Sequence, residues 1–275
     1  MIPAGTAPDQ ILNLLGITEP EDLDIEAIAY ACGATIVPQP LTGCEANIIG
    51  FGERAIITVN SDSILTRRRF SAGHELGHWM KDRGQNAFGC QDSQLQSEWS
   101  ANNPEVRANR FASDLLLPTA MFVPRAKGRP ITLETVVDLA TLFQMSQTAT
   151  AIRLVTYGSF PAMLLYYEGG QRKWFLRSGN DIPTSLWPHD QLDPQTVAAC
   201  LLANTLASSK DGDTPADRWF EREKAEKYYL RESCLRTGAD AILVLLWWED
   251  EQQLIDIADK EERRANRRSD WREDD

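Results

Sequence analysis

Two of the three histidines in this 275-residue chain stand four residues apart, in the run His74-Glu75-Leu76-Gly77-His78. On an α-helix that spacing puts both imidazoles on one face, a turn apart. There they can offer two nitrogen ligands to one tetrahedral zinc ion. Glu75 follows the first histidine directly and so points elsewhere, where a carboxylate can act as a base toward water at the open side of such an ion. Gly77 is a further sign. Inside a helix glycine costs about 1 kcal/mol relative to alanine, so its presence predicts close approach of another backbone or of a ligand.

Two histidines leave a metal with an open position one protein ligand short. The candidate is Glu105, at the start of a segment patterned as a helix over residues 105–116, with Glu98 as the replacement. Asn109 lies four positions on, hence on Glu105's face, and is placed to hydrogen-bond a ligand histidine and fix its ring. The alternative for Glu105 is an ordinary first-turn glutamate favoured by the helix dipole.

Charge narrows the partners. With 28 basic and 40 acidic residues the net charge is -12, and an acidic surface repels phosphate backbones and anionic lipid. Direct nucleic-acid binding and membrane association are therefore not expected, whereas a basic protein partner is open. The N-terminus, Met1-Ile2-Pro3-Ala4-Gly5, lacks the charged and apolar segments of a secretory signal, and the richest apolar run, residues 241–248, is only strand-sized. Five scattered cysteines without such a signal predict reduced thiols in a cytoplasmic protein.

The patterning reads as α+β. Residues 10–15 and 24–31 are expected as short helices, the second closed by Gly33, and 34–38, 46–49 and 54–59 as strands. The histidine helix is expected to be capped by Ser63 or Thr66 and to end near residue 84. A loop to residue 103 and the helix 105–116, stopped by Pro118, would follow. A linker at 124–130 precedes two helices at 133–143 and 147–157. In the last third, 163–167 and 173–177 flank Gly169-Gly170 as a hairpin, 194–206 reads as a helix, and 228–235 and 241–248 read as strands joined at Gly238. Helices on one side of a small antiparallel sheet predict a separate α+β domain. The expected divisions are 1–125, 126–158, 159–258 and a charged tail at 259–275.

The run Arg69-Phe70-Ser71-Ala72-Gly73-His74-Glu75-Leu76-Gly77-His78, followed by Glu105-Val106-Arg107-Ala108-Asn109-Arg110-Phe111-Ala112-Ser113-Asp114-Leu115-Leu116-Leu117-Pro118, resembles the ImmA/IrrE family of metallo-endopeptidases. The segment Ala55-Ile56-Ile57-Thr58-Val59-Asn60 is similar to the strand before the zinc helix in that family. The resemblance implies a zincin-like N-terminal peptidase domain of helices and a small sheet. In it His74, His78 and Glu105 would hold Zn2+ and Glu75 would serve as general base. It also implies a substrate, a helix-turn-helix transcriptional repressor cut to relieve repression in stress response or mobile-element control. Relatives carrying a helix-turn-helix-like segment and a sensor-like, GAF-like domain suggest those identities for 126–158 and 159–258, the latter with a small-molecule ligand. Two rival readings stand beside this one. The chain would be a regulatory binding protein that displaces a repressor without proteolysis, or a zinc hydrolase acting on a smaller substrate.

Other residues invite a role. His189 could donate to a developing oxyanion, but in the loop Trp187-Pro188-His189 a surface histidine is the plainer reading. Cys90, in the loop after the histidine helix, could ligate or inhibit a metal. Arg153 is the one cation of 147–157, too little for a helix that reads DNA, so packing is expected there. Arg67-Arg68-Arg69 reads as a solvated face or internal ion-pair set, and Trp247-Trp248 as core.

Overall fold

Strand alternation sets the first layer. The computed structural model describes residues 1–82, 103–179, 181–204, 211–221 and 225–273, with 264–273 by backbone alone. Strands β1 (Ala34–Gln39), β2 (Ala46–Phe51) and β3 (Arg54–Asn60) form a sheet ordered β1-β3-β2, with β1 parallel and β2 antiparallel to the central β3. Along β3, Ala55, Ile57 and Val59 are buried, while Ile56 on the opposite face is exposed with Ile49 and Phe51 of β2. Helices α1 (Pro8–Leu15) and α2 (Ile25–Ala31) precede the sheet. Asp24 caps α2, its Oδ1 accepting from the N–H of Glu26 and Ala27 at 2.9 and 3.1 Å. Gly33, at φ 86°, makes the left-handed turn into β1.

Helix α3 (Leu65–Asp82) carries the histidine pair. It begins at Leu65, not at a hydroxyl cap. The carbonyl of Ile64 takes the N–H groups of Arg67 and Arg68, and the Ser63 hydroxyl donates to Glu45. Trp79 fixes α3 against the sheet: its indole N–H donates to the Cys32 carbonyl at 3.0 Å, and a Cβ on Gly50 would stand 2.6 Å from its ring. Helix α4 (Pro104–Leu116) is capped by Asn103, whose Oδ1 accepts from the N–H of Glu105 at 2.9 Å. Its buried face, Ala108, Phe111, Ala112 and Leu115, recurs at helical spacing.

The chain divides into two compact units, Met1–Arg125 with Asp138–Thr150, and Ala126–Val137 with Ala151–Asp275. Helix α5 (Thr119–Ala126) occupies part of the expected linker. Pro124 sits late in this short helix, where few backbone bonds depend on it, and Met121, Phe122 and Ala126 are buried. The turn comes at Gly128, φ 71°. Helices α6 (Leu133–Phe143) and α7 (Gln147–Tyr157) follow at their expected positions.

The second unit holds a five-stranded antiparallel sheet, ordered β5-β4-β8-β7-β6. Its strands are β4 (Ala162–Glu168), β5 (Gln171–Arg177), β6 (Gly212–Pro215), β7 (Tyr229–Arg236) and β8 (Ala241–Trp247). Strand β8 is buried at every residue and central, and β4 and β5 are the expected hairpin. One face packs Met163, Leu165, Tyr167, Trp219, Phe220 and Trp248.

Three features of this unit go beyond what the sequence patterning predicts. β6, only four residues with an Asp and a Pro, carries no alternating signal. The helix expected at 194–206 is α8 (Val197–Leu202), because Thr196 caps it and Asn204 turns left-handed at φ 56°. The charged segment, expected as a solvated helix or tail, is helical, and α9 (Gln252–Glu273) starts ahead of it, with Leu254 and Ile257 buried in the core. Its high charge further along hides that anchor in the sequence.

Glycine at 77 and 73 decides how near α4 comes to α3. A Cβ on Gly77 would stand 3.0 Å from the Ala108 Cα and 3.1 Å from its carbonyl oxygen, backbone atoms that cannot rotate aside. A Cβ on Gly73 would meet the Leu116 Cδ1 at 3.2 Å and the Ala112 Cβ at 3.3 Å. Overpacking typically costs about 1–3 kcal/mol, against about 1 kcal/mol of helix propensity gained. Gly77→Ala, whose clash is with fixed backbone, is therefore expected to lose up to about 2 kcal/mol in chemical denaturation, and Gly73→Ala to stay within about 0.5 kcal/mol because Leu116 can shift. An equal effect of the two would contradict this account of the contact.

Candidate metal centre

Because α3 is continuous through residues 74 and 78, the two imidazoles stand one turn apart and edge to face, ring centroids 4.7 Å apart and planes 79° to each other. Their Nε2 atoms are 3.1 Å apart. Glu105, brought in on the first turn of α4, places Oε2 3.2 Å from His74 Nε2 and Oε1 3.4 Å from His78 Nε2. The three ligand atoms lie within 4.8 Å of one another. Around zinc, with bonds of about 2.0–2.2 Å, neighbouring tetrahedral ligands lie roughly 3.3–3.5 Å apart, so this donor set fits such an ion.

The tautomers agree with that fit. His74 Nδ1 is 2.9 Å from Asn109 Oδ1, as the amide is oriented, so Nδ1 carries the proton and Nε2 turns a lone pair toward the Glu105 carboxylate. His74 Nε2 and Glu105 Oε2 are then two acceptors 3.2 Å apart, a spacing that a shared cation would satisfy. Asn109 thus holds the ring in the orientation its helical spacing from Glu105 predicts.

The site is wet on one side only. His78 is 2% exposed and Glu75 2%, whereas the Glu105 side chain is 58% exposed. His74, Glu75, Glu105 and Asn109 line one open cleft of about 690 Å³ within the first unit. It is also lined by Gly43, Cys44, Glu45 and Ala46, and by Phe70 and Ser71 of α3. Sequence reasoning gave those wall residues no role; the segment before β2 shows no motif, and only the sheet's register against α3 brings it there.

The remaining candidates fall elsewhere. His189 belongs to the second unit, its Nε2 3.0 Å from the Asp217 carbonyl and its Nδ1 3.5 Å from Glu221. Arg153 is buried with its guanidinium 4.7 Å from the Tyr157 ring, among buried Ala151, Leu154 and Val155. It is thus a packing cation. Trp247 and Trp248 are both buried. Cys90 and Glu98 lie outside the described residues.

The family model described as the IrrE N-terminal-like domain, Peptidase_M78, matches residues 36–155. This chain carries an ImmA/IrrE-family domain. The match runs from β1 through α7 and includes His74, Glu75, His78, Glu105 and Asn109. A solved Mycobacterium tuberculosis transcriptional regulator is similar over 87% of this chain and 85% of its own, with a TM-score of 0.55 and 15% identity. At that identity the likeness is one of fold. No curated protein matches.

The ligand geometry of the ImmA/IrrE-family domain makes a separable prediction. About one zinc per chain is expected by elemental analysis. Metal should be lost in His74→Ala and His78→Ala and much reduced in Glu105→Ala, while Asn109→Ala, which frees the His74 ring, should weaken affinity about 10–100-fold. Full zinc in the His78→Ala protein would sink the assignment.

Proposed function

We propose that this chain is a zinc-dependent endopeptidase that cleaves a helix-turn-helix transcriptional repressor. The observation that carries the reading is one constellation: His74, His78 and Glu105 converge at metal-ligand distances, and buried Glu75 lines the same open cleft. Zinc held there supplies Lewis acidity to the scissile carbonyl and to the attacking water. The residues of the chain do the rest. Glu75 accepts the proton of the attacking water and delivers it to the leaving amide nitrogen. Asn109 keeps His74 in its ligand tautomer. The cleft, open along one side, admits a peptide segment too long to be enclosed.

A repressor substrate accords with the family of the domain and with a fold shared with a transcriptional regulator. The second unit, with residues 159–258 and its α+β sheet, is read as a sensor-like, GAF-like domain for a small molecule, and residues 126–158 as the helix-turn-helix-like segment. The partner is a protein rather than DNA. The net charge of -12 and the burial of Arg153 leave residues 147–157 no cation to offer phosphates. Among the described residues no helix is long and apolar enough to cross a membrane, in keeping with a cytoplasmic site of action.

The test is co-incubation of the purified protein with the repressor encoded beside it, followed by mass spectrometry of the products. Cleavage is expected for the wild type. Glu75→Gln keeps the shape of the carboxylate without its basicity, so it should retain zinc and cut about 10²–10⁴-fold more slowly. If Glu75→Gln relieves repression in cells as fully as the wild type, displacement without proteolysis is the correct reading.

A further inference from the structure

The opposite side of α3 carries a second feature that the metal centre does not use. Leu65, Arg68, Arg69 and Ala72 share one side of the helix, and His74 lies about 180° round from Leu65 at 3.6 residues per turn. On that side is a pocket of about 110 Å³, closed by Ile25 of α2, Ile36 and Pro38 of β1 and Val59 of β3, and lined by both arginines. Arg69 is only 8% exposed. Its Nη2 donates to the Leu23 carbonyl at 2.9 Å, but among the described residues the Nε atoms of both Arg68 and Arg69 are buried without a hydrogen-bond partner.

We propose that this pocket, where the two guanidinium groups of Arg68 and Arg69 meet an apolar wall, binds a small carboxylate with a short hydrocarbon tail. A guanidinium is a planar fork of five donors that matches a carboxylate in two places at once, and a buried one with unmet donors gains most from such a partner. The volume holds about four water equivalents at roughly 30 Å³ each, enough for an acid of two to four carbons and too little for a nucleotide. The apolar wall selects against phosphate or sulfate, whose oxygens would face Ile25, Ile36 and Val59 without partners. Burial also pulls the Arg69 pKa below the usual guanidinium value, against the opposing charges of Glu26 and Asp24. These two carboxylates are the competitors. Asp24 is engaged in capping α2, and Glu26 is exposed although it lines the pocket.

The site stands apart from the peptidase reading, since none of its lining residues lines the metal cleft. Its test is a titration of the full chain with sodium propionate at constant ionic strength, read by thermal shift and by calorimetry. Propionamide and inorganic phosphate serve as controls. A saturable rise in melting temperature is expected with propionate, half-maximal on the order of millimolar for so small a ligand, and neither control should reproduce it. Arg69 also holds the Leu23 carbonyl, so Arg68→Gln carries the test. It should keep the ligand-free melting temperature and the zinc content while weakening propionate at least tenfold. Glu26→Gln, which removes the competing carboxylate, should tighten it. No saturable shift in the wild type, an equal shift with propionamide or phosphate, undiminished binding in Arg68→Gln, or weaker binding in Glu26→Gln would each overturn the proposal.

Discussion

The closeness of α3 to α4 is the constraint on which the rest of the first unit depends. Helices carrying ordinary side chains pack 8–10 Å apart, and a short glutamate side chain cannot reach two histidines across the wider end of that range. Here Gly77 and Gly73 face Ala108 and Ala112, so the seam is lined by hydrogen and methyl groups. On α4, Glu105 and Asn109 stand one helical turn apart and flank Ala108, the residue nearest Gly77. One therefore faces the Nε2 atoms and the other the Nδ1 atom of His74. The sheet supports this pair from behind, with Trp79 set against Gly50 and hydrogen-bonded to Cys32.

Burial then separates the acidic groups of the cleft. Glu75 is enclosed and Glu105 is open to water, although both line the same cleft. In the second unit Glu232 shows what enclosure does to a carboxyl. Burial raises its pKa even though the Ala198 N–H and the Trp219 indole donate to it at 3.0 and 3.3 Å. Glu232 therefore holds its proton more readily than a carboxyl at the surface.

Much of this was legible in the sequence, and unevenly. The spacing of His74 and His78 and the misfit of Gly77 in a helix are local signals, and both point to features the structure contains. The alternation of residues 54–60, the Gly169-Gly170 turn and the helices 133–143 and 147–157 are also local and read directly. Glu105 is different. Spacing left it level with an ordinary helix-start glutamate, and only the resemblance singled it out, because which carboxylate reaches the histidines depends on how two helices cross. The cleft wall at residues 43–46, the burial of Arg69 and Arg153, and the short β6 likewise follow from tertiary register. The start of α9 was hidden for another reason: two apolar residues, Leu254 and Ile257, anchor a helix whose composition is otherwise that of a solvated segment.

The two glycines of α3 differ in what stands opposite them, and this sets how variation at each is coupled to the rest of the chain. Gly77 meets the Cα and carbonyl of Ala108, atoms present whatever residue occupies position 108. No change of side chain there can make room, so position 77 is constrained alone. Gly73 meets the methyl of Ala112 and the end of Leu116. Side-chain volume added at 73 and volume removed at 112 or 116 draw on the same gap, and their effects are not additive. A scan of single substitutions would treat 73 and 112 as two sites. Physically they are one, and Ala112→Gly opens the space that Gly73→Ala fills.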